Sequence, residues 1–87
     1  MLDENTYTYV SKNGIVDLTL REYKLLKMLI DNKHRIVTYE EICQVLFNDK
    51  NDFCYQRCIY TVMSNLKKKC NNELPILLKR DVGYYLA

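Results

Sequence analysis

An 87-residue chain with 48% hydrophobic and 28% charged residues has room for one small domain, residues 1–87, with a core near the lower limit of what folds without staples. That composition excludes wholesale disorder, and no apolar run approaches the length of a membrane helix. The net charge of +2 hides an asymmetry: residues 1–54 carry 7 Lys+Arg against 9 Asp+Glu, whereas residues 55–87 carry 6 against 2, so the basic character sits in the C-terminal third.

Taken in chain order, residues 5–10 (NTYTYV) alternate polar and β-favouring side chains. Ser11, Lys12, Asn13 and Gly14 then supply turn chemistry before Ile15 to Leu18, and the pattern predicts a β-hairpin. Thr19-Leu20-Arg21-Glu22 is a capping box, in which the Thr hydroxyl and the Glu carboxylate each satisfy an orphan backbone N–H, so a first helix starts here. Its apolar stripe is Tyr23, Leu26, Leu29 and Ile30, widened by Leu25, and it runs out in the polar stretch from Asp31 to Arg35. His34, the single histidine, has no Cys, Ser or second His beside it in the sequence and reads as a solvated turn residue.

Ile36 and Val37 form an apolar link to a second capping box, Thr38-Tyr39-Glu40-Glu41, and the second helix carries Ile42, Cys43, Val45, Leu46 and Phe47. Asn48, Asp49, Lys50, Asn51 and Asp52 make a polar loop before the third helix. That helix, Tyr55 to Cys70, places Ile59, Val62, Met63, Leu66 and Cys70 on one face. The opposite face carries Arg57, Thr61, Ser64 and Lys68, flanked by Tyr60, Asn65 and Lys67, and the segment contains no acidic residue. A helix with one buried face and an uncompensated basic, hydrogen-bonding face is shaped to lie against a polyanion. Beyond Asn71-Asn72-Glu73, Ile76 to Lys79 and Tyr84 to Leu86 predict a closing hairpin with Arg80 and Asp81 near its tip.

Other chemistries find little support. Cys43, Cys54, Cys58 and Cys70 include no C-x-x-C pair, no targeting segment places them in an oxidising compartment, and Cys43 and Cys70 fall on apolar stripes. Free thiols acting as small hydrophobes are therefore expected, with no metal site. Two of the candidate carboxylates, Glu22 and Glu41, are already engaged in capping, no nucleophile with a base emerges, and two glycines are too few for a phosphate cradle. Neither enzymatic activity nor a cofactor is expected.

The order hairpin, three helices, hairpin resembles the OmpR/PhoB-type winged-helix effector domain of bacterial response regulators. Leu18 to Leu26 (LTLREYKLL) is similar to that family's opening helix motif, and Arg35 to Ile42 (RIVTYEEI) to the entry of its second helix. Arg57 to Lys69 (RCIYTVMSNLKKK) is similar to its recognition helix, and Lys79 to Leu86 (KRDVGYYL) to its wing. The resemblance implies an α+β winged helix-turn-helix with a four-stranded N-terminal antiparallel sheet, three helices and a C-terminal β-hairpin wing. It further implies a cytoplasmic regulator of transcription in a two-component system, binding double-stranded DNA without a membrane segment in this chain. The helix at about 55–70 would enter the major groove and the wing at about 76–86 the minor groove.

On this resemblance Tyr60, Thr61, Ser64 and Asn65 would face base edges, Arg57, Lys67 and Lys68 the phosphates, and Arg80 the minor groove. The loop Asn48, Asp49, Lys50, Asn51 and Asp52 can touch RNA polymerase, and tandem copies can occupy direct repeats. The chain departs from the family at Tyr60, Val62 and Asn65, where an acidic residue, a histidine and an arginine are usual, and at Asp81, where glycine is usual. Asn suits adenine and the Thr61 methyl suits thymine, so A·T-rich sites are expected. The departures also motivate an alternative, a winged-helix protein-interaction module without DNA binding.

Overall fold

A computed structural model of the chain describes residues 2–12, 14–47, 56–70 and 73–87, the side chains of Gln56 and Arg57 lying outside that description. The elements in order are β1 (Leu2–Asp3), β2 (Thr8–Ser11), β3 (Gly14–Asp17), α1 (Leu20–Asp31), β4 (Val37–Thr38), α2 (Tyr39–Leu46), α3 (Gln56–Lys69), β5 (Ile76–Lys79) and β6 (Gly83–Leu86). β1, β2 and β3 form one antiparallel sheet in that order, and β4, β6 and β5 a second. Among the described residues no helix is long and apolar enough to cross a membrane.

Both capping boxes form. The Thr19 hydroxyl accepts from Glu22 N at 3.2 Å while Thr19 N donates to Glu22 Oε1 at 2.8 Å. The Thr38 hydroxyl likewise accepts from Glu41 N at 3.3 Å, with Thr38 N donating to Glu41 Oε1 at 3.4 Å. Each box satisfies two backbone groups that an uncapped first turn would leave unpaired.

The three helices bury one cluster, with Leu25, Leu26 and Leu29 from α1, Ile42 from α2 and Ile59, Met63 and Leu66 from α3 at its centre, closed by Cys70 just beyond α3. Two residues expected in the stripes lie outside it: Ile30 and Val45 are exposed, each at the rim of its helix where the apolar arc runs past the packed surface.

The first hairpin begins later than alternation predicted, because Tyr7 adopts a left-handed backbone (φ 52°) before β2. Its ring rests 4.8 Å from that of Tyr23 on α1, and Leu18 N donates to Tyr7 O at 2.9 Å, so this turn fastens the sheet to the helix. The N-terminal sheet has three strands among the described residues, one more than the residue pattern indicated and one fewer than the resemblance implied.

The second sheet contains a strand, β4, where the residue pattern predicts only an apolar link. Val37 pairs with Tyr84 and Thr38 with Gly83, so the N-cap of α2 is hydrogen-bonded territory shared with the wing. Gly83 permits the approach: a Cβ there would lie 1.9 Å from Val37 O. At the root of the wing His34 N donates to Leu86 O at 3.2 Å, with His34 exposed and left-handed (φ 73°), as a solvated turn residue should be. At the tip, Val82 N donates to Lys79 O at 3.0 Å and Asp81 sits at φ 63°, a conformation a glycine would adopt at lower cost.

The cysteines depart from expectation. Cys58 and Cys70 are free thiols, but Cys43 is disulfide-bonded, its partner lying outside the described residues. Helical periodicity placed Cys43 on the packed side of α2 correctly and could say nothing about which sulfur it meets.

Arg35 forms a two-pronged pair with Glu41, 2.8 Å from Nη2 to Oε2 and 3.1 Å from Nη1 to Oε1. Hydrogen bonding to Arg35 chiefly, assisted by Thr38, holds the Glu41 carboxyl down at about 2 against an ordinary 4.5. A folded-state pKa below the unfolded value stabilises above pH 4.5 and loses that contribution as pH falls toward 2. Urea unfolding at several pH values should therefore show wild type losing stability more steeply across that window than Glu41→Gln, which keeps a capping acceptor without the charge.

Candidate nucleic-acid interface

Burial of Ile59, Met63 and Leu66 fixes the roll of α3, and the roll decides what α3 presents. Tyr60, Thr61, Asn65 and Lys68 are exposed, with Ser64 and Lys67 half-buried beside them. Arg80 is exposed at the wing turn. The structure thus brings Tyr60, Ser64, Lys67 and Lys68 together on the edge of α3 that faces the wing, and leaves Thr61 and Asn65 on the same exposed helix surface further round. The side chain of Arg57 and residues Asn48 to Asp52, also expected at the interface or at a polymerase contact, lie outside the described residues.

Between α3 and the wing lies a cleft of about 300 Å³. Tyr60, Ser64, Lys67 and Lys68 line its helix side and Leu78 its wing side, over a floor of Met63 and Tyr84. Burial pushes the Tyr84 phenol above the usual range, with the neighbouring Tyr39 and Tyr60 phenols adding to the effect. Among the described residues the cleft is lined without a carboxylate. Each of three larger surface clefts carries at least one: Asp31 and Glu41 between α1 and α2, Asp3, Glu4 and Asp31 beside β1, Glu40 and Asp81 at the α2 N-terminus. Lys67 and Lys68 thus line a cleft that, among the described residues, holds no carboxylate.

Lys69, the last of three consecutive lysines, does something else. Its Nζ donates to Glu22 Oε1 at 2.7 Å, and the Glu22 side chain is only 4% exposed. Glu22 thus serves the capping box and also holds the end of α3 against the start of α1. Sequence reading assigned Glu22 the cap alone; a carboxylate on the packed side of a helix is the signal that a cation must reach it. Truncating a fully buried pair costs about 3–5 kcal/mol, and with the Lys69 side chain 38% exposed a smaller loss of about 1–2 kcal/mol is expected for Lys69→Met in urea unfolding.

Residues 12–86 match the family described as transcriptional regulatory protein, C terminal. The response regulator RR06 of Streptococcus pneumoniae is 28% identical over 86 residues, which cover 99% of this chain and 39% of that protein. The chain thus spans about two-fifths of the length of such relatives. The DNA-binding domain of Bacillus subtilis CssR shares the fold with a TM-score of 0.88 at 24% identity, over 100% of this chain and 98% of that one. The DNA-binding domain of the response regulator AdeR, solved in complex with an intercistronic region, superposes with a TM-score of 0.79 at 28% identity, over 99% and 91%.

Proposed function

The chain belongs to the family of C-terminal domains of transcriptional regulatory proteins, the OmpR/PhoB-type winged-helix effectors, and on that footing we propose that it binds double-stranded DNA as the effector module of a cytoplasmic two-component response regulator. The observation that carries this reading is the basic α3 segment, without an acidic residue, beside a cleft under the wing that among the described residues has no carboxylate in its lining. A duplex offers phosphates to such a face at short, regular intervals. Family membership, and the AdeR domain's complex with DNA, favour this reading over a protein-interaction module.

In this account α3 enters the major groove and the β5–β6 wing approaches the minor groove. Tyr60, Thr61, Ser64 and Asn65 read base edges. Lys67, Lys68 and Arg57 neutralise phosphates, and Arg80 reaches the minor groove. The loop Asn48 to Asp52 is assigned to contact with RNA polymerase, and tandem binding to direct repeats is assigned on the same family grounds. No catalytic step is assigned. Lys69 is withdrawn from the DNA by Glu22, so affinity rests on fewer cations than the run Lys67-Lys68-Lys69 suggests.

Asn65 can pair bidentately with adenine and Thr61 offers a methyl to thymine. Selection from a random duplex library should accordingly return A·T-rich motifs. Enrichment of G·C-rich motifs would overturn the base-reading assignment, and no enrichment at all would overturn sequence-specific binding.

A further inference from the structure

Leu78, on the wing side of the α3–wing cleft, is 54% exposed, and Tyr60, on its α3 side, is 64% exposed. Single exposed apolar residues are ordinary. Here two of them, one on α3 and one on the wing, line one cleft with Lys67, Lys68 and Ser64, and among the described residues its lining holds no carboxylate. Apolar walls with cations beside them match a group that is apolar at its centre and anionic at both ends. Deoxyribose between two phosphates is that group.

Side chains alternate along β5, so Ile76 and Leu78 share the inner face, with Leu78 opposite Tyr84 in the ladder. Leu77 points to the other face, opposite Tyr85, and is 45% exposed there. Two adjacent leucines of similar exposure thus differ in one respect, that only Leu78 meets the cleft.

Resting on the DNA-binding reading above, we propose that the α3–wing cleft is a sugar seat for one DNA strand where it crosses from the major to the minor groove. Leu78 and the Tyr60 ring make apolar contact with a deoxyribose, and Lys67 and Lys68 hold the flanking phosphates. Leu78 is then a determinant of affinity that carries no charge and reads no base.

Salt dependence separates the two kinds of contact. A cation that neutralises a phosphate releases counterions and sets the slope of log K against log salt, whereas an apolar contact leaves the slope alone. The probe is a fluorescein-labelled duplex recovered by selection with this protein, titrated by anisotropy at several salt concentrations. Leu78→Ser and Leu78→Ala should each weaken binding by about 5–10-fold with the slope unchanged, as expected for the loss of one buried apolar contact. Leu78→Met should stay within about twofold of wild type, because volume-conserving apolar swaps are well tolerated. Leu77→Ser should leave affinity unchanged, and Lys67→Gln should reduce the magnitude of the slope by about 0.9.

The proposal is overturned if folded Leu78→Ser and Leu78→Ala bind as tightly as wild type, if Leu77→Ser is equally damaging, or if Leu78→Ser alters the slope as Lys67→Gln does. Failure of the wild-type protein to bind any duplex is a different result, and it removes the DNA-binding reading together with this one.

Discussion

Reversal of Lys68 and Arg80 to glutamate in one protein should weaken duplex binding by about a thousandfold at about 0.15 M salt. An exposed ion pair contributes about 1 kcal/mol, and reversal replaces attraction with repulsion, so two sites lose about 4 kcal/mol, or close to three powers of ten. Lys68 stands on the exposed face of α3 and Arg80 at the wing turn, so the double variant removes an anchor from each of the two elements assigned to DNA. Both side chains are exposed, and stability should remain within about 0.5 kcal/mol of wild type by urea unfolding. Lys69→Met gives the reciprocal pattern, a loss of stability with the salt slope intact, because its ammonium group is spent on Glu22. If the Lys68 and Arg80 reversal left affinity within a few-fold of wild type, α3 and the wing would not be the binding surface.

The second large effect is expected at a position with no side chain. In Gly83→Ala the new methyl would sit 1.9 Å from Val37 O, 2.8 Å from Val37 C and 2.9 Å from Thr38 Cα. These are backbone atoms, which cannot swing aside as a flexible side chain would. β4 must move, and with it Thr38, the residue that caps α2. Overpacking of this kind costs about 3 kcal/mol, at the upper end of its usual range because nothing soft absorbs the clash. For a domain of this size that is a large part of the total stability and corresponds to a fall in melting temperature of about 12–24 °C. Thermal unfolding followed by circular dichroism measures it. A variant that melts with wild type would show that β4 and β6 do not approach as closely as described.

Gly83 also illustrates what sequence alone could and could not convey. The capping boxes at Thr19 and Thr38 were legible because their chemistry is local, complete within four residues. The orientation of α3 was legible because Ile59, Met63, Leu66 and Cys70 recur at helical spacing, and burial of that stripe leaves Tyr60, Thr61, Asn65 and Lys68 outside. β4 was not legible: two residues, Val37 and Thr38, become a strand only because Tyr84 and Gly83 arrive beside them from the far end of the chain. The contact between Glu22 and Lys69 is equally non-local, 47 residues apart. Leu78 is legible only as part of a strand, since the cleft it lines is completed by α3. The disulfide state of Cys43 has the same character, a pairing that spacing on one helix does not encode.

Asp81 belongs with these positions. Its left-handed backbone explains why a glycine is usual there, and its carboxylate lowers the positive potential at the wing tip. On the proposals above, Arg80 supplies charge at the wing turn next to Lys79, and Leu78 supplies contact.

On the proposed function, the cationic face of α3, with Arg80 on the wing, engages a duplex through its phosphates. The most direct measurement is the equilibrium affinity of this protein for a duplex between about 50 and 250 mM salt. The account predicts a linear fall of log K with log salt, with a slope of about −3 or steeper from Lys67, Lys68 and Arg80 with Arg57. A flat salt dependence, or no binding to any duplex at the lowest salt, would contradict it.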